Sequence, residues 1–363
     1  MTDIHGRILT ETGWVTGHIA IAGDRITEVV PGDIEADRIV LPGFIDLHCH
    51  GGGGADIMDG GDAVRTVAAL HARHGTTAFL ATTMTAPVEE IEGALRGVAA
   101  AMGTQRPSEA AILGVHLEGP FISPDRLGAQ PPFAIAADLD LMQHFAELAP
   151  IRVVTWAPEA DPDDTLRVFL AERGIRMQIG HTNASYEAAA AALAAGIDGV
   201  THVFNAMSPL HHRHPGVVGA ALAHARHAEM IPDLVHVHPG ALRVALRAIP
   251  EVYAVSDATA ASGMPDGDYR LGRQPVRKCD NGVRLADGSL AGSALTMDVA
   301  LRNLVDLGLP LDEAARRTST IAADYLGIAD RGRIRHGAMA DLVILDTDLG
   351  VREVYVGGSR VDR

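Results

Sequence analysis

The run Phe44-Ile45-Asp46-Leu47-His48-Cys49-His50 ends an apolar stretch with two imidazoles two residues apart, followed by the glycines Gly51 to Gly54. In an extended strand, residues i and i+2 leave the same face, so His48 and His50 can reach one cation together while Cys49 points away. A lone His-x-His pair also fits two solvated side chains. Its place at the end of the apolar run Ile39 to Ile45, before glycines that deny it a helical continuation, turns the reading toward metal ligation.

Metal-type side chains recur downstream in His116-Leu117-Glu118-Gly119-Pro120, Gly180-His181-Thr182-Asn183, Thr201-His202-Val203 and Val255-Ser256-Asp257-Ala258. Taken singly, each histidine fits a satisfied core residue, Asp257 a helix cap, and Glu118 an ion pair with an arginine. Taken together they offer four imidazoles (His48, His50, His181, His202) and two carboxylates. Such a set suits zinc first, and also iron, cobalt or manganese, with one or two ions per chain.

Each of these groups stands at or near the end of a short β-like run. The runs are the strand before His48, then Thr76 to Thr82, Ile112 to Leu117, Arg152 to Trp156, Arg176 to Ile179, Gly199 to Val203, Glu229 to Ile231 and Val252 to Val255. Helical stretches intervene, among them Gly61 to His74, Val88 to Met102, Thr165 to Arg173, Ser185 to Ala195 and Ala241 to Ala248. Eight strands in a βαβα rhythm predict an α/β fold of the (β/α)8 TIM-type barrel class, whose catalytic groups gather at the C-terminal strand ends. On this reading His202 lies within the sixth strand.

Residues 1 to about 42 alternate apolar runs with turns, with Gly23-Asp24 at a hairpin position, and similar β-rich sequence returns in Gly337 to Asp346 and Val351 to Val356. The expected organisation is a small β-sandwich-like domain from residues 1–42 and 331–363, around a metal-dependent barrel at 43–330. Pro131-Pro132 and the stretch Gly263 to Gly267 read as loops at the barrel mouth.

Composition narrows the class. With 363 residues, 47% hydrophobic and 21% charged, the chain can bury a sizeable core, and aromatics at 4% leave that core to Ala, Val, Leu and Ile. A formal net charge of -16 argues against nucleic-acid binding, which wants a basic face. Two cysteines, Cys49 and Cys279, make no disulfide framework, and neither a signal segment nor an apolar run of about 18 residues is read, so a cytoplasmic protein without a membrane partner is expected. Lys278 is the single lysine and follows all eight strands, where it cannot readily serve as a carboxylated-lysine metal bridge from a strand, and its placement weakens a Schiff-base reading of the barrel.

The motifs Pro42-Gly43-Phe44-Ile45-Asp46-Leu47-His48-Cys49-His50-Gly51, His116 to Phe121, Gly180 to Ala184, Thr201 to Met207 and Val255 to Ala258 together resemble the amidohydrolase superfamily, and within it the N-acetylglucosamine-6-phosphate deacetylases, over nearly the whole chain. The resemblance implies removal of acetate from the 2-acetamido group of a 6-phosphorylated amino sugar by a metal-bound hydroxide. It assigns Glu118, His181 and His202 as metal ligands and Asp257 as general acid/base at the metal. His48 and His50, which some members of the family lack, allow a second ion bridged by Glu118.

The same resemblance implies phosphate binding by the backbone amides of Asn205 and Ala206 and the guanidinium of Arg213, and substrate binding by His236, which some relatives contribute across a homodimer interface. His211, His212, His214 and His238 fit a solvated loop or an ordinary strand equally well. Gln130 stands where many relatives carry a histidine thought to polarise the scissile carbonyl; a glutamine amide still donates a hydrogen bond but cannot titrate. That departure keeps two other readings open: a deacetylase of another substrate, such as N-acetylgalactosamine 6-phosphate, or a barrel that binds a sugar phosphate without turning it over.

Overall fold

The computed structural model of the chain describes residues 2–33, 37–279 and 282–362. Among these residues, eight parallel strands lie side by side in the order in which they occur in sequence: Phe44–Cys49, Thr76–Thr83, Ala111–Glu118, Ile151–Trp156, Arg176–Ile179, Gly199–Val200, His227–Met230 and Glu251–Ala254. The first two are buried along their whole length, as strands covered on both faces must be. The sheet curls until its last strand meets its first: the Asp257 N–H donates to the His48 carbonyl (2.8 Å) and the His50 N–H to the Ala258 carbonyl (2.9 Å). A (β/α)8 barrel results.

Helices cover the outside. Val88–Met102 forms where expected, its buried residues Ile91, Ala94, Leu95 and Val98 recurring at three- and four-residue spacing along one stripe and Glu89 and Glu90 placed at its positive N-terminal end. Burying each of the larger aliphatic side chains in that stripe contributes roughly 1.5–3 kcal/mol. Asp62–Arg73 likewise falls inside its predicted range, and Asp138 caps Leu139–Leu148 by accepting from the Leu141 N–H at 2.9 Å.

Both ends of the chain build a second sheet. Its order is Ser359–Arg360, Val351–Val356, Leu342–Leu345, Ile39–Pro42, Thr2–Thr10, Gly13–Ala22 and Arg25–Pro31, with Gly23-Asp24 as a two-residue hairpin turn. The ends are tied where Leu342–Leu345 pairs antiparallel with Ile39–Pro42, and Ile4, Ile8, Ile19, Val40, Leu342 and Ile344 belong to a core separate from the barrel's.

Two features differ from expectation. The sixth strand stops at Val200, so His202 lies in the turn beyond it rather than within it; the chain breaks from the sheet there because His202 takes a positive φ of 24°. After the eighth strand the chain forms a small antiparallel sheet, Gly267–Leu271, Gln274–Cys279 and Gly282–Arg284, pinned to the barrel by the Gly272 N–H donating to Asp56 Oδ2 at 2.8 Å. Lys278 belongs to this sheet and its ammonium donates to the Met264 carbonyl at 2.6 Å, away from the strand ends. No described helix is long and apolar enough to cross a membrane.

Candidate active site

Glu118, at the end of the third strand, is the hub of the site. Its Oε1 lies 3.1 Å from Nε2 of both His181 and His202 and 3.4 Å from Nε2 of His48, while its Oε2 lies 3.2 Å from Nε2 of His50. Asp257 Oδ1 stands 3.3 Å from His50 Nε2 and 3.6 Å from His48 Nε2. All six side chains are buried. Chain segments more than 200 residues apart in sequence are thus brought to one point.

The backbone pays for this convergence, since His181 (φ 47°), His202 (φ 24°) and Asp257 (φ 50°) are all left-handed. Each such non-glycine residue costs on the order of 1–3 kcal/mol and persists only where the surroundings hold it. Gly180 shows how tight those surroundings are: a Cβ there would meet Thr155 and Thr201 side-chain atoms at 2.7 Å.

The imidazoles are arranged as ligands rather than as a hydrogen-bonded cluster. His48 Nδ1 lies 2.9 Å from Glu229 Oε2, His181 Nδ1 2.9 Å from the Arg126 carbonyl, and His50 Nδ1 3.2 Å from the Thr82 carbonyl. Those partners are acceptors, so each neutral ring carries its proton on Nδ1 and turns the Nε2 lone pair inward. Lone pairs then face one another, with His48 Nε2 and His50 Nε2 3.2 Å apart and His181 Nε2 and His202 Nε2 also 3.2 Å apart. Only a shared cation or added protons can reconcile that geometry. The donor set therefore fits a divalent metal, which Glu118, with one or other oxygen within 3.4 Å of all four Nε2 atoms, would help to hold.

Burial lowers the basicity of His48 and His50, but Glu118 and Glu229 around His48, and Asp257 and Glu118 around His50, overcome it, lifting His50 to about 9 and His48 well above its ordinary value. Burial would raise Asp257, yet the hydrogen bond from His50 and the nearby imidazoles depress it to about 2; Glu118 falls well below the usual carboxylate range for the same kind of reason. His116 sits 4.5 Å from His48 between ring centroids but has both nitrogens engaged, by the Leu47 carbonyl (2.9 Å) and Thr155 Oγ1 (2.7 Å). Burial drops it to about 4, so it packs as a neutral ring.

These ligands open onto a cavity of about 160 Å³ whose wall includes His50, Glu118, His181, His202 and Asp257, and also Gln130, Asn205, Ala206 and His236. Gln130 is held at both ends: its Oε1 accepts from the Thr85 N–H (2.7 Å) and its Nε2 donates to Glu118 Oε2 (2.5 Å). His236 is fixed by Asp233 Oδ2, 2.7 Å from its Nδ1. The Asn205 N–H, expected to meet a phosphate, already donates to the His202 carbonyl at 3.0 Å.

Arg213 lies apart from these residues. It is exposed on the His211–His214 turn, lining a neighbouring cavity of about 410 Å³ with Asn183 and Tyr186, and does not reach the cavity that holds the carboxylates. His211, His212 and His214 are exposed beside it, and His238 caps the helix Pro239–Ala248 by accepting from the Gly240 N–H at 3.0 Å. Glu229, by contrast, was not singled out from the sequence. The available signal was a carboxylate inside the apolar run Ala228-Glu229-Met230-Ile231, a residue type that is rarely buried without a partner.

An eight-stranded barrel with metal-type ligands at its C-terminal strand ends defines a hydrolase class, and the chain belongs to it: residues 39–361 match the model of the Amidohydrolase family. Among relatives, it is 37% identical over 366 residues to an N-acetylgalactosamine-6-phosphate deacetylase of Escherichia coli O157:H7, covering 97% of each chain. It is 40% identical over 329 residues to an N-acetylglucosamine-6-phosphate deacetylase of Bacillus subtilis (strain 168), covering 87% of this chain and 83% of that one. A solved mutant N-acetyl-D-glucosamine-6-phosphate deacetylase of Mycobacterium smegmatis, in complex with N-acetyl-D-glucosamine-6-phosphate, superposes with a TM-score of 0.91 at 34% identity over 99% of both chains.

Proposed function

We propose that this enzyme removes acetate from N-acetyl-D-glucosamine 6-phosphate to give D-glucosamine 6-phosphate. The observation that carries the reading is the placement of Asp257 against the His48–His50 pair, on the same cavity wall as Glu118, His181 and His202. We assign His48, His50, Glu118, His181, His202 and Asp257 to hold one or two divalent ions, zinc foremost among zinc, iron, cobalt and manganese. Such an ion, when bound, lowers the pKa of a coordinated water from 15.7 towards about 7 and acts as a Lewis acid.

The chain's own groups do the rest. Asp257 takes one proton from the attacking water and returns it to the sugar nitrogen as the C–N bond breaks, giving acetic acid and the neutral amine; at neutral pH the acid's remaining proton passes to the amine, leaving acetate and the ammonium form. An amine departs poorly unless protonated, and this transfer is why the carboxylate matters to turnover. Gln130, whose Nε2 donates to Glu118 on the cavity wall, would polarise the acyl oxygen by turning an N–H toward it; His236 and the Ala206 N–H are our candidates to meet the sugar phosphate.

Arg213 remains our candidate for the countercharge of the phosphate. Its exposed position on a neighbouring cavity fits delivery to a second copy in a homodimer. The reading places the enzyme in the cytoplasm, consistent with Cys49 and Cys279 being free thiols.

A second substrate, N-acetylgalactosamine 6-phosphate, is favoured by the relative that covers 97% of the chain. Acetate release should be measured on both epimers, each with and without its 6-phosphate. Phosphorylated glucosamine is expected to be turned over fastest, chelation to abolish activity and divalent metal to restore it, and Arg213→Ala to raise KM only for the phosphorylated sugars. Turnover by metal-depleted protein, or equal rates with and without phosphate, would overturn the proposal.

A further inference from the structure

Below the cavity, inside the barrel, lies a carboxylate that the reaction does not use. Glu229, on the seventh strand, is fully buried, and the only groups able to carry positive charge within 4 Å of it among the described residues are His48 (Nδ1 to Oε2, 2.9 Å) and His116 (Nδ1 to Oε1, 3.8 Å). Among the described residues no arginine or lysine answers it. A buried carboxylate without a partner is strongly destabilising, so this one persists because something compensates it.

Its surroundings aim it. The His202 N–H donates to Oε2 at 3.3 Å and the Tyr253 hydroxyl to Oε1 at 3.5 Å; Tyr253 in turn accepts from Gln178 Nε2 at 2.6 Å, which also reaches the Tyr325 hydroxyl at 3.1 Å. His116, saturated by Leu47 and Thr155, packs edge-on against the His48 ring and blocks its rotation. Oε1 is occupied by Tyr253 and lies beside His116, while Oε2, which also accepts from the His202 N–H, meets His48 Nδ1.

We propose that Glu229 is a positioning residue for the metal centre: through the Nδ1 proton of His48 it fixes that ring with Nε2 toward Glu118 and Asp257 and makes it the stronger ligand, so that cation binding at the His48–His50 end of the site depends on it. A carboxylate behind a ligating imidazole both sets the tautomer and raises ligand basicity, and loss of such a partner typically weakens metal affinity 10–100-fold. A cation on Nε2 also supplies the charge that Glu229 lacks, through the shared imidazole. The inference rests on the reading of His48 as a ligand.

The test is Zn²⁺ binding to metal-depleted full-length protein, by equilibrium dialysis against a competing chelator, for wild type, Glu229→Gln, His48→Asn and the double variant. Glu229→Gln is nearly isosteric and should weaken the His48-dependent ion about 10–100-fold in protein that still unfolds cooperatively. In the His48→Asn background the same change should have no further effect on Zn²⁺, because the residue acts through that ring. Equal Zn²⁺ affinity of wild type and Glu229→Gln, or effects of the two single changes that multiply, would overturn the inference while leaving the metal reading intact.

Wild type that binds no Zn²⁺ would overturn both readings together. Should Glu229→Gln fail to fold, the ¹⁵N spectrum of histidine-labelled, Zn²⁺-loaded wild type decides instead, with the His48 resonance assigned by its loss in His48→Asn. A metal-shifted Nε2 with a protonated Nδ1 supports the inference; metal on Nδ1 refutes it.

Discussion

The backbone N–H of Asp257 donates to the carbonyl oxygen of His48 at 2.8 Å. This bond belongs to the seam where the eighth strand closes onto the first, so barrel closure itself sets the spacing between the candidate acid/base and the first candidate ligand. Catalytic geometry and fold closure are one interaction here, and a perturbation of the seam must be felt at the carboxylate.

Replacing Asp257 by Asn preserves shape but removes the proton acceptor. Loss of general acid/base catalysis typically costs 10²–10⁴-fold. Steady-state acetate release should therefore show kcat reduced by about that factor with KM changed much less, the pattern of an interaction used in the transition state. A variant with near-normal kcat would remove Asp257 from the mechanism.

Gly292 lines the cavity behind Asp257 with a φ of 58°, and a Cβ there would come within 2.6 Å of Thr259 Cγ2 and 3.0 Å of the Asp257 carbonyl. Gly292→Ala combines left-handed strain with a clash against the strand end. It is expected to cost about 1–3 kcal/mol in denaturant unfolding and to lower kcat as well. Unchanged stability and turnover would show that the loop can yield.

Gln130→Ala removes the amide that satisfies the Thr85 N–H and faces Glu118. A buried unsatisfied donor costs about 1–3 kcal/mol, and losing a donor at an acyl oxygen about 10²–10³-fold in kcat. Parallel melts and rate measurements separate the two: a stability loss with normal kcat would make Gln130 a support for Thr85 and Glu118 alone.

Acid stability has an identifiable contributor outside the site. Burial would raise Asp298, but His74 (Nδ1 to Oδ1, 3.3 Å), the Thr296 hydroxyl (2.6 Å) and Arg302 (3.2 Å) hold it down at about 2. A folded-state value below the unfolded value of about 3.9 contributes roughly 2 kcal/mol that is fully present above pH 4–5 and is lost as the pH falls toward 2. Asp298→Asn should destabilise the protein by about that amount at pH 7, with the gap to wild type narrowing at pH 3. A gap independent of pH would show that packing, not charge, is at stake.

Much of the site could be read from local pattern. The His48-x-His50 pair on one strand face, and Glu118, His181 and Asp257 at strand ends, follow from apolar runs with two-residue alternation, which short stretches of chain carry by themselves. The barrel followed from counting those runs, and the terminal sheet from β-rich sequence at both ends. His202 was recognised as a residue but misplaced by two positions, because a two-residue strand is too short for its end to be marked by composition.

What the sequence by itself determined is the chemical inventory: four imidazoles and two carboxylates at the ends of apolar segments, without a strand lysine to compete as bridge. Tertiary structure decided how that inventory is used. Glu229 meets His48 across 181 residues, Gln130 is turned onto Glu118 by the Thr85 amide, the Asn205 N–H is spent on His202, and Arg213 is left outside its own cavity. Alternation and apolar runs are properties of neighbours along the chain, whereas the direction a polar group finally faces depends on which distant partner satisfies it once water is excluded.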